Sequence, residues 1–316
     1  MGPDLASYVS ASEIPIKLIH QSKEAVQDGV IRPYHLHLKP TNRCNLNCSW
    51  CSCRDVDRKL ELSTRECRAI LSHFKSLGSR ACTISGGGEP TMHDGLCEIV
   101  GYAKRLGHDV SLVTNGIRIA EAESKYDGLN DKLTWCRVSV TPSKDYVELI
   151  PRIAAKWPDV RIGITMTIDN DTDAVTAPHI CDTCEPLDNV THIRFVTNIL
   201  NPDSALLARC QRFCNGRTTK AIYQDRTPYT KGANPCHVSL LKPVVDPSGY
   251  VFPCCGVQYA TDELRQTPEC MRLCHWTDFG LGIRPFDGSI CQKCYYSEYN
   301  RTLAALTKQI DHVNFV

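Results

Sequence analysis

Three closely spaced cysteines are the residues best suited to chemistry in this chain of 316 residues, which contains 19 cysteines. Cys44, Cys48 and Cys51 follow a candidate β-strand, at the position where α/β folds place ligand sites. Thiolates at this spacing can converge on one side of a tight loop. A cubane iron–sulfur cluster held by three thiolates keeps one iron without a protein ligand, and that iron can chelate a small molecule. A structural zinc site needs a fourth ligand, for which Cys53 lies close.

A glycine-rich segment follows the second candidate strand. Gly86, Gly87 and Gly88 precede Glu89, and glycines let a ligand approach the backbone and its exposed N–H and C=O groups. Carbonyl groups there could accept from an ammonium group, while Glu89 would add negative charge or brace the loop. A glycine run after a strand is by itself more often a simple turn. Beside the cysteine loop it predicts a ligand site.

These two motifs resemble those of radical S-adenosylmethionine (SAM) enzymes. The cysteine spacing, with Trp50 before the last cysteine, is similar to their Cx3CxΦC signature, in which Φ is aromatic. The resemblance extends to the GGE motif in Gly87–Glu89, to a TNG strand end in Thr114–Gly116 and to the fourth strand in Cys136–Val140. It covers about residues 34–198 and implies a partial (β/α)6 barrel.

The resemblance also implies a chemistry and its cofactors. In this family the open iron of a [4Fe–4S] cluster binds the amino and carboxylate groups of SAM. An electron, from a donor of the flavodoxin or ferredoxin type, cleaves SAM, and the resulting 5′-deoxyadenosyl radical abstracts hydrogen from a substrate carbon. Trp50 would lie against the adenine, and Asn115 and Ser139 are weaker candidates for the ribose.

A second set of cysteines lies near the C-terminal end. A β-hairpin turning at Asp246–Gly249 would bring Cys236 and Cys254 together, and the later pair Cys291 and Cys294 could complete four ligands. Four thiolates suit a closed [4Fe–4S] cluster or a structural zinc. The pattern resembles the Twitch or SPASM auxiliary-cluster domains of radical SAM enzymes, which favours iron.

Two questions about this second set stay open in the sequence. No cysteine follows Cys294, so we expect one auxiliary cluster, the Twitch form. Other cysteines could compete as ligands, although ordinary packing of small side chains is the preferred interpretation; these are Cys270, Cys274, Cys210 and Cys214.

Cys255 directly follows a predicted cluster ligand. Adjacent residues on a strand point to opposite faces, so Cys254 could bind iron while Cys255 faces the substrate. This resembles radical SAM epimerases of sugars or peptides, in which a cysteine gives a hydrogen atom to the substrate radical. The alternatives are that Pro-Cys-Cys is simply common in such domains, and that the auxiliary cluster takes an electron, as in Twitch alcohol dehydrogenases.

Secondary-structure patterns predict an α/β fold. Candidate strands are Tyr34–Lys39, Ala81–Ser85, Val110–Thr114, Trp135–Val140, Arg161–Ile168 and Thr191–Thr197. Amphipathic helices are predicted over Leu62–Leu77, Gly95–Leu106 and Tyr146–Lys156. Residues 199–235 are polar and predicted to be irregular, before a hairpin of Leu240–Val245 with Tyr250–Phe252 and a helix over Tyr299–Val313. We therefore expect an N-terminal extension over 1–33, the barrel over 34–200 and a small cysteine-rich α+β domain, a β-hairpin plus a helix, over 201–316.

Composition limits the possible partners. A formal net charge of +1 gives no basic excess for nucleic acid, although RNA or nucleotide modification stays an alternative. No apolar run is long enough for a membrane span, and the first residues lack a secretory pattern, so we expect a cytoplasmic protein. About thirty residues precede the first candidate strand, too few for the winged-helix peptide-recognition domain that many peptide-modifying members of the resembled family carry, and this favours a small substrate over a peptide. A rival from another class is a non-enzymatic iron–sulfur or zinc-binding regulatory module.

The metal content separates these classes. Anaerobic reconstitution should load about eight irons per chain, because each of two cubanes takes four. Iron and zinc analysis with a SAM-cleavage assay provides the measurement. Stoichiometric zinc without SAM cleavage would support the non-enzymatic module instead.

Overall fold

An open ten-stranded sheet organises the protein, in a computed structural model that describes residues 14–141, 145–226, 230–259 and 269–308. The strands are β1 Val26–Gln27, β2 Val30–Ile31, β3 His35–Leu38, β4 Ala81–Ile84, β5 Asp109–Thr114, β6 Trp135–Val140, β7 Arg161–Ile168, β8 Val190–Thr197, β9 Ala221–Gln224, β10 Val244–Val245, β11 Tyr250–Phe252 and β12 Cys274–His275. The order in the large sheet is β12-β11-β10-β3-β4-β5-β6-β7-β8-β9, with β1 and β2 paired separately. From β10 to β9 all neighbours are parallel. The predicted partial α/β barrel is confirmed.

Helices connect the parallel strands. They are α1 Ile14–Ala25, α2 Thr64–Ser76, α3 Leu96–Arg105, α4 Ile117–Glu121, α5 Tyr146–Lys156, α6 Asp171–Cys184, α7 Ser204–Cys214, α8 Val238–Leu241 and α9 Ser297–Leu306. Helix α2 begins where the sequence predicts, because Ser63 and Glu66 form a capping box. Its apolar face, which includes Ile70 and Phe74, is fully buried in the main core.

Strand β6 shows how the sheet divides its side chains between core and interior. Cys136 and Val138 are buried in the hydrophobic core. Arg137 and Ser139, on the alternate positions, are partly exposed and line an internal cavity. Because side chains of a strand alternate between its two faces, every second position of these strands is available to a site.

The prediction that residues 199–235 are irregular is wrong for two segments. Helix α7 buries Leu206, Leu207, Cys210 and Cys214, and β9 adds a parallel strand beside β8. Two of the four buried positions of α7 are cysteines. The apolar face of α7 is visible in the sequence only if Cys210 and Cys214 are counted as small apolar residues rather than as metal ligands.

The C-terminal part continues the barrel sheet. The predicted hairpin is present, with Val245 opposite Val251 and Gly249 in the turn at φ +78°. Its first arm is shorter than predicted, since α8 takes residues 238–241. Strand β10 pairs in parallel with β3, the first strand of the barrel, so one sheet joins the two predicted domains. The domain limits stay a prediction.

The two ends of the described chain pack together. Helices α1 and α9 share a buried cluster that includes Leu18, Ala25 and Leu303, and Cys236 belongs to it. Helix α9 begins two residues before its predicted start, and the end of the predicted helix lies outside the described residues. Among the described helices, none combines the length and apolar character that a membrane crossing requires.

Candidate active site

A cavity of about 410 Å³ lies at the carboxyl ends of the parallel strands. The loops after β3, β4 and β5 line it, together with side chains of β6, β7, β8 and β9 and the segment after β11. Open α/β sheets bind their ligands at this edge. The position agrees with the site predicted from the cysteine and glycine motifs.

The three predicted cluster ligands lie together in the loop after β3. Cys44, Cys48 and Cys51 all line the cavity, as does Trp50. Burial raises the pKa of each of the three thiols, that of Cys51 to about 11. In the described part of the chain no three His, Cys, Asp or Glu side chains converge on a single metal ion. A cubane binds each thiolate at a different iron, so its ligands do not need to meet at one point.

The glycine loop packs directly on the cysteine loop. A Cβ atom on Gly88 would lie 2.1 Å from the carbonyl oxygen of Arg43, and one on Gly87 would lie 2.0 Å from Oδ1 of Asn42. A Cβ on Gly86 would meet the carbonyl oxygen of Gly88 at 2.2 Å. The sequence predicts that these glycines make room for a ligand. In the structure they also make room for neighbouring atoms of the protein itself, while Gly86 and Gly88 line the cavity.

Glu89 joins three loops. Its Oε1 accepts from the backbone N–H of Thr91 (3.0 Å) and from the hydroxyls of Thr91 (2.8 Å) and Thr114 (2.6 Å), and Oε2 accepts from the N–H of Asn115 (2.7 Å). Its own N–H donates to the carbonyl of Arg43 (2.8 Å). Burial raises the pKa of the Glu89 carboxyl, and these donors act in the opposite direction. Of its two predicted roles, bracing the loop is the one these contacts show.

Asn115 and Ser139 both line the cavity. The amide of Asn115 is used within the loops, since Nδ2 donates to Oδ1 of Asn45 (2.8 Å) and Oδ1 accepts from the N–H of Ile117 (3.1 Å). Asn115 therefore links the end of β5 to the cysteine loop. Contact of Asn115 and Ser139 with a ribose, and of Trp50 with an adenine, stays a prediction.

The four predicted auxiliary ligands line one pocket: Cys236, Cys254, Cys291 and Cys294. They come from three segments that are far apart in sequence. Two glycines allow the close packing, because a Cβ on Gly232 would lie 2.8 Å from the Cβ of Cys291, and one on Gly288 would lie 3.3 Å from the Cβ of Cys236.

The sulfur atoms of this pocket receive hydrogen bonds. The N–H of Gly256 donates to Sγ of Cys254 (3.3 Å), and the N–H of Tyr296 donates to Sγ of Cys294 (3.3 Å). Such donors stabilise thiolate ligands and tune the potential of iron–sulfur clusters. The donor set fits a four-thiolate cluster.

The competing cysteines lie elsewhere. Cys210 and Cys214 are buried in the main core, Cys274 forms part of β12, and Cys270 is exposed. These positions favour packing and surface roles over ligation. The assignment of the auxiliary ligands stays a prediction.

Cys254 and Cys255 line different pockets, although the reason given from the sequence is wrong, because β11 ends at Phe252 and neither cysteine lies on a strand. Cys255 lines the large cavity, whereas Cys254 lines the auxiliary pocket. The Cys255 thiol lies 3.1 Å from the hydroxyl of Tyr296, and Tyr296 lines both pockets. The two sites are therefore direct neighbours. The catalytic role of Cys255 is not decided by this placement.

The sequence analysis missed the basic residues of the cavity. Lys39, Arg137, Arg194 and Arg226 all line it, although the chain separates them widely. A signal for two of them exists. Arg137 in β6 and Arg194 in β8 are the only arginine or lysine residues of these two strands, and a charged side chain in a buried parallel sheet must face an interior or a ligand.

Together, the open α/β barrel, the three-cysteine loop and the glycine loop have the arrangement expected of a cofactor-binding iron–sulfur protein. Residues 38–156 match the radical SAM superfamily, and the chain carries a radical SAM domain over this segment. This family uses a [4Fe–4S] cluster and SAM, which the three-cysteine loop and the glycine loop fit, and the pocket lined by four cysteines fits an auxiliary cluster.

Similar proteins include two curated relatives and a solved structure. The chain is 33% identical over 162 residues to a probable GTP 3′,8-cyclase of Methanothermobacter thermautotrophicus (48% of this chain, 49% of the relative). It is 37% identical over 97 residues to the PqqA peptide cyclase of Streptomyces rochei (30% and 26%). SuiB of Streptococcus suis, bound to its precursor peptide SuiA, shares the fold at 15% identity with a TM-score of 0.56 (76% and 62%). The chain spans between about a quarter and a half of these two curated relatives.

Replacing Gly88 tests the contact between the glycine loop and the cysteine loop. In Gly88→Ala the new methyl group would collide with the Arg43 carbonyl, so we expect loss of the catalytic cluster, a fall from about eight to about four irons and loss of SAM binding. Iron analysis and calorimetric SAM titration provide the readouts. Gly101→Ala, in α3, is the matched control, because its Cβ meets no atom closer than 3.5 Å. Full iron and SAM affinity in Gly88→Ala would contradict the assignment.

Replacing Cys291 tests the auxiliary site. We expect Cys291→Ser to retain about four irons, since each cubane holds four, and to keep SAM binding, because the catalytic cluster uses other thiols. Cys274→Ser and Cys270→Ser serve as controls and should keep full iron. If either control loses a cluster while Cys291→Ser does not, the ligand assignment is wrong.

Proposed function

We propose that this protein is a radical SAM enzyme that epimerises a carbon centre of a sugar-like small molecule or a peptide, with Cys255 as the hydrogen-atom donor. The observation that carries the proposal is the placement of the Cys255 thiol in the large cavity, back to back with Cys254. When bound, the reduced cluster and SAM supply a 5′-deoxyadenosyl radical that removes a hydrogen atom from the substrate.

The cysteine and glycine loops are built to hold these cofactors rigidly. Glu89 and Asn115 tie the loops after β3, β4 and β5 into one unit. A fixed unit positions the reacting atoms and limits side reactions of a reactive radical. Cys44, Cys48 and Cys51 would hold the cluster, and Gly86 and Gly88 would face SAM.

The proposed role of Cys255 begins after the first hydrogen has left the substrate. The S–H bond of Cys255 breaks and a new C–H bond forms on the opposite face of the carbon, which inverts the centre and leaves a sulfur-centred radical. One electron from a flavodoxin- or ferredoxin-type donor and one proton restore the thiol. Tyr296, within hydrogen-bond distance, holds the thiol in place.

Oxidation of the substrate is the second candidate. Tyr296 lines both pockets, and Cys254 and Cys255 are consecutive, so an electron has a short route from the cavity to the auxiliary site. In that case the substrate radical gives up an electron and a proton, and the product is a ketone or an aldehyde.

The similar proteins act on different classes of substrate. The named relatives act on a peptide or on GTP, and SuiB is bound to a precursor peptide. Radical modification of a nucleotide is therefore a further alternative. The cofactor loops around a large cavity favour an enzyme over a regulatory metal-binding module.

Replacing the thiol distinguishes epimerisation from oxidation. In Cys255→Ala, formation of 5′-deoxyadenosine should persist with a panel of sugar and peptide substrates, but no epimer should form, because the hydrogen donor is gone. In deuterated water the unmodified protein should place one deuterium on the inverted carbon, detected by mass spectrometry and NMR. Cys270→Ala, at an exposed position, is the control. Unchanged epimer formation in Cys255→Ala, or an oxidised product from the unmodified protein, would rule out the donor role.

A further inference from the structure

Three arginines gather on one wall of the cavity. Arg137 lies on β6, Arg194 on β8, and Arg226 follows β9. The parallel register brings the first two near each other, since Gly163 of β7 pairs with both Arg137 and His192, and Thr165, two positions on, pairs with Arg194. The cofactor loops instead follow β3, β4 and β5.

Within the described residues, no carboxylate forms an ion pair with Arg137 or Arg194. Nε of each is buried without a hydrogen-bond partner, and the acidic groups that act on both arginines are the Cys255 thiol and the Tyr296 hydroxyl. Arg194 is 6% exposed, and its NH2 group makes a weak 3.4 Å hydrogen bond to Thr165. Among the described residues that line the cavity, Glu89 alone carries a carboxylate, and it is committed to the loops.

Burial of like charges without a counter-ion is unfavourable. Desolvation lowers the pKa of Arg194 well below its usual range, and the neighbouring Arg137 and Arg226 lower it further. Desolvation likewise lowers the pKa of Arg137. Removing one partner of a buried charge pair destabilises a protein strongly, so a cationic cluster that includes the buried Arg194 indicates a ligand that supplies the anion.

SAM does not supply that charge. SAM carries a sulfonium and an ammonium against one carboxylate, so it adds positive charge to the cavity, and its carboxylate belongs at the open iron beside the β3 loop. The auxiliary thiolates have basic groups of their own, because Lys293 lines their pocket and Lys242 lies over the ring of Tyr296.

We infer that Arg137, Arg194 and Arg226 form a subsite for a multiply charged oxyanion of the substrate, a phosphate or a pair of carboxylates. This inference deepens the proposed function and rests on it for the identity of the cavity as the substrate site. Guanidinium groups bind phosphate and carboxylate through two parallel hydrogen bonds, which fixes orientation as well as charge. The subsite would anchor the substrate while the reacting carbon lies between SAM and Cys255.

Anion binding can be measured without turnover. Inorganic phosphate, pyrophosphate and malonate are titrated calorimetrically into the anaerobic holoenzyme loaded with SAM, at low ionic strength. We expect saturable binding of one anion per chain, weakened about tenfold or more in Arg194→Gln and Arg137→Gln because a charged hydrogen-bond pair is lost. Tighter binding of phosphate or pyrophosphate indicates a phosphorylated substrate, and tighter binding of malonate indicates a dicarboxylate.

Control variants separate the subsite from general charge effects. Arg152→Gln removes an exposed arginine that pairs with Glu148 on α5, and it should bind the anions like the unmodified protein. Anion affinity is measured without turnover, so the subsite stands or falls independently of the hydrogen-donor role of Cys255. If Arg194→Gln loses its iron and does not fold, Arg226→Gln, at a partly exposed position, carries the same expected loss.

Three results would overturn the inference. The first is absence of saturable binding for all three anions. The second is an equal loss of affinity in Arg152→Gln, which would show a nonspecific charge effect. The third is a loss of SAM affinity in Arg194→Gln with anion binding intact, which would assign the arginines to the cofactor.

Discussion

The candidate site depends on one buried carboxylate. Glu89 sits at the end of β4 and accepts hydrogen bonds from the chain that follows it and from the end of β5, while its backbone N–H is held by the cysteine loop. Each of these hydrogen bonds offsets part of the free-energy cost of burying the carboxylate, so the carboxylate and the loops stabilise each other. The glycines before Glu89 are required because a side chain there would separate the loops that the carboxylate joins.

Alternation along strand β6 separates core residues such as Val138 from Arg137 in the cavity. Beyond the end of β11, the turn that carries Cys254 and Cys255 places these consecutive residues at two pockets. The proposed metal ligands, hydrogen donor and substrate anchor therefore use different side chains of one sheet and its loops.

The sequence predicts the parts of this site that are local. Cys44, Cys48 and Cys51 lie within one loop, so their spacing alone predicts that they are close together. The hairpin turn needs a positive φ at Gly249, which favours glycine, so the turn is also predicted from a few neighbouring residues. The proposed arginine subsite is not local, because the register of the four neighbouring strands β6 to β9 brings Arg137, Arg194 and Arg226 together. Helix α7 was not predicted because two of its four buried residues are cysteines. The pairing of β10 with β3 could not be predicted from local sequence because it joins segments far apart in the chain.

That pairing has a consequence for how the chain is made. Strand β3 is synthesised early, but its partner β10 emerges from the ribosome some two hundred residues later. Until then the hydrogen-bonding edge of β3 stays uncovered, and a chain terminated before residue 244 would expose it permanently. Uncovered edges recruit other strands, so nascent or truncated forms of this protein are the ones most prone to aggregate.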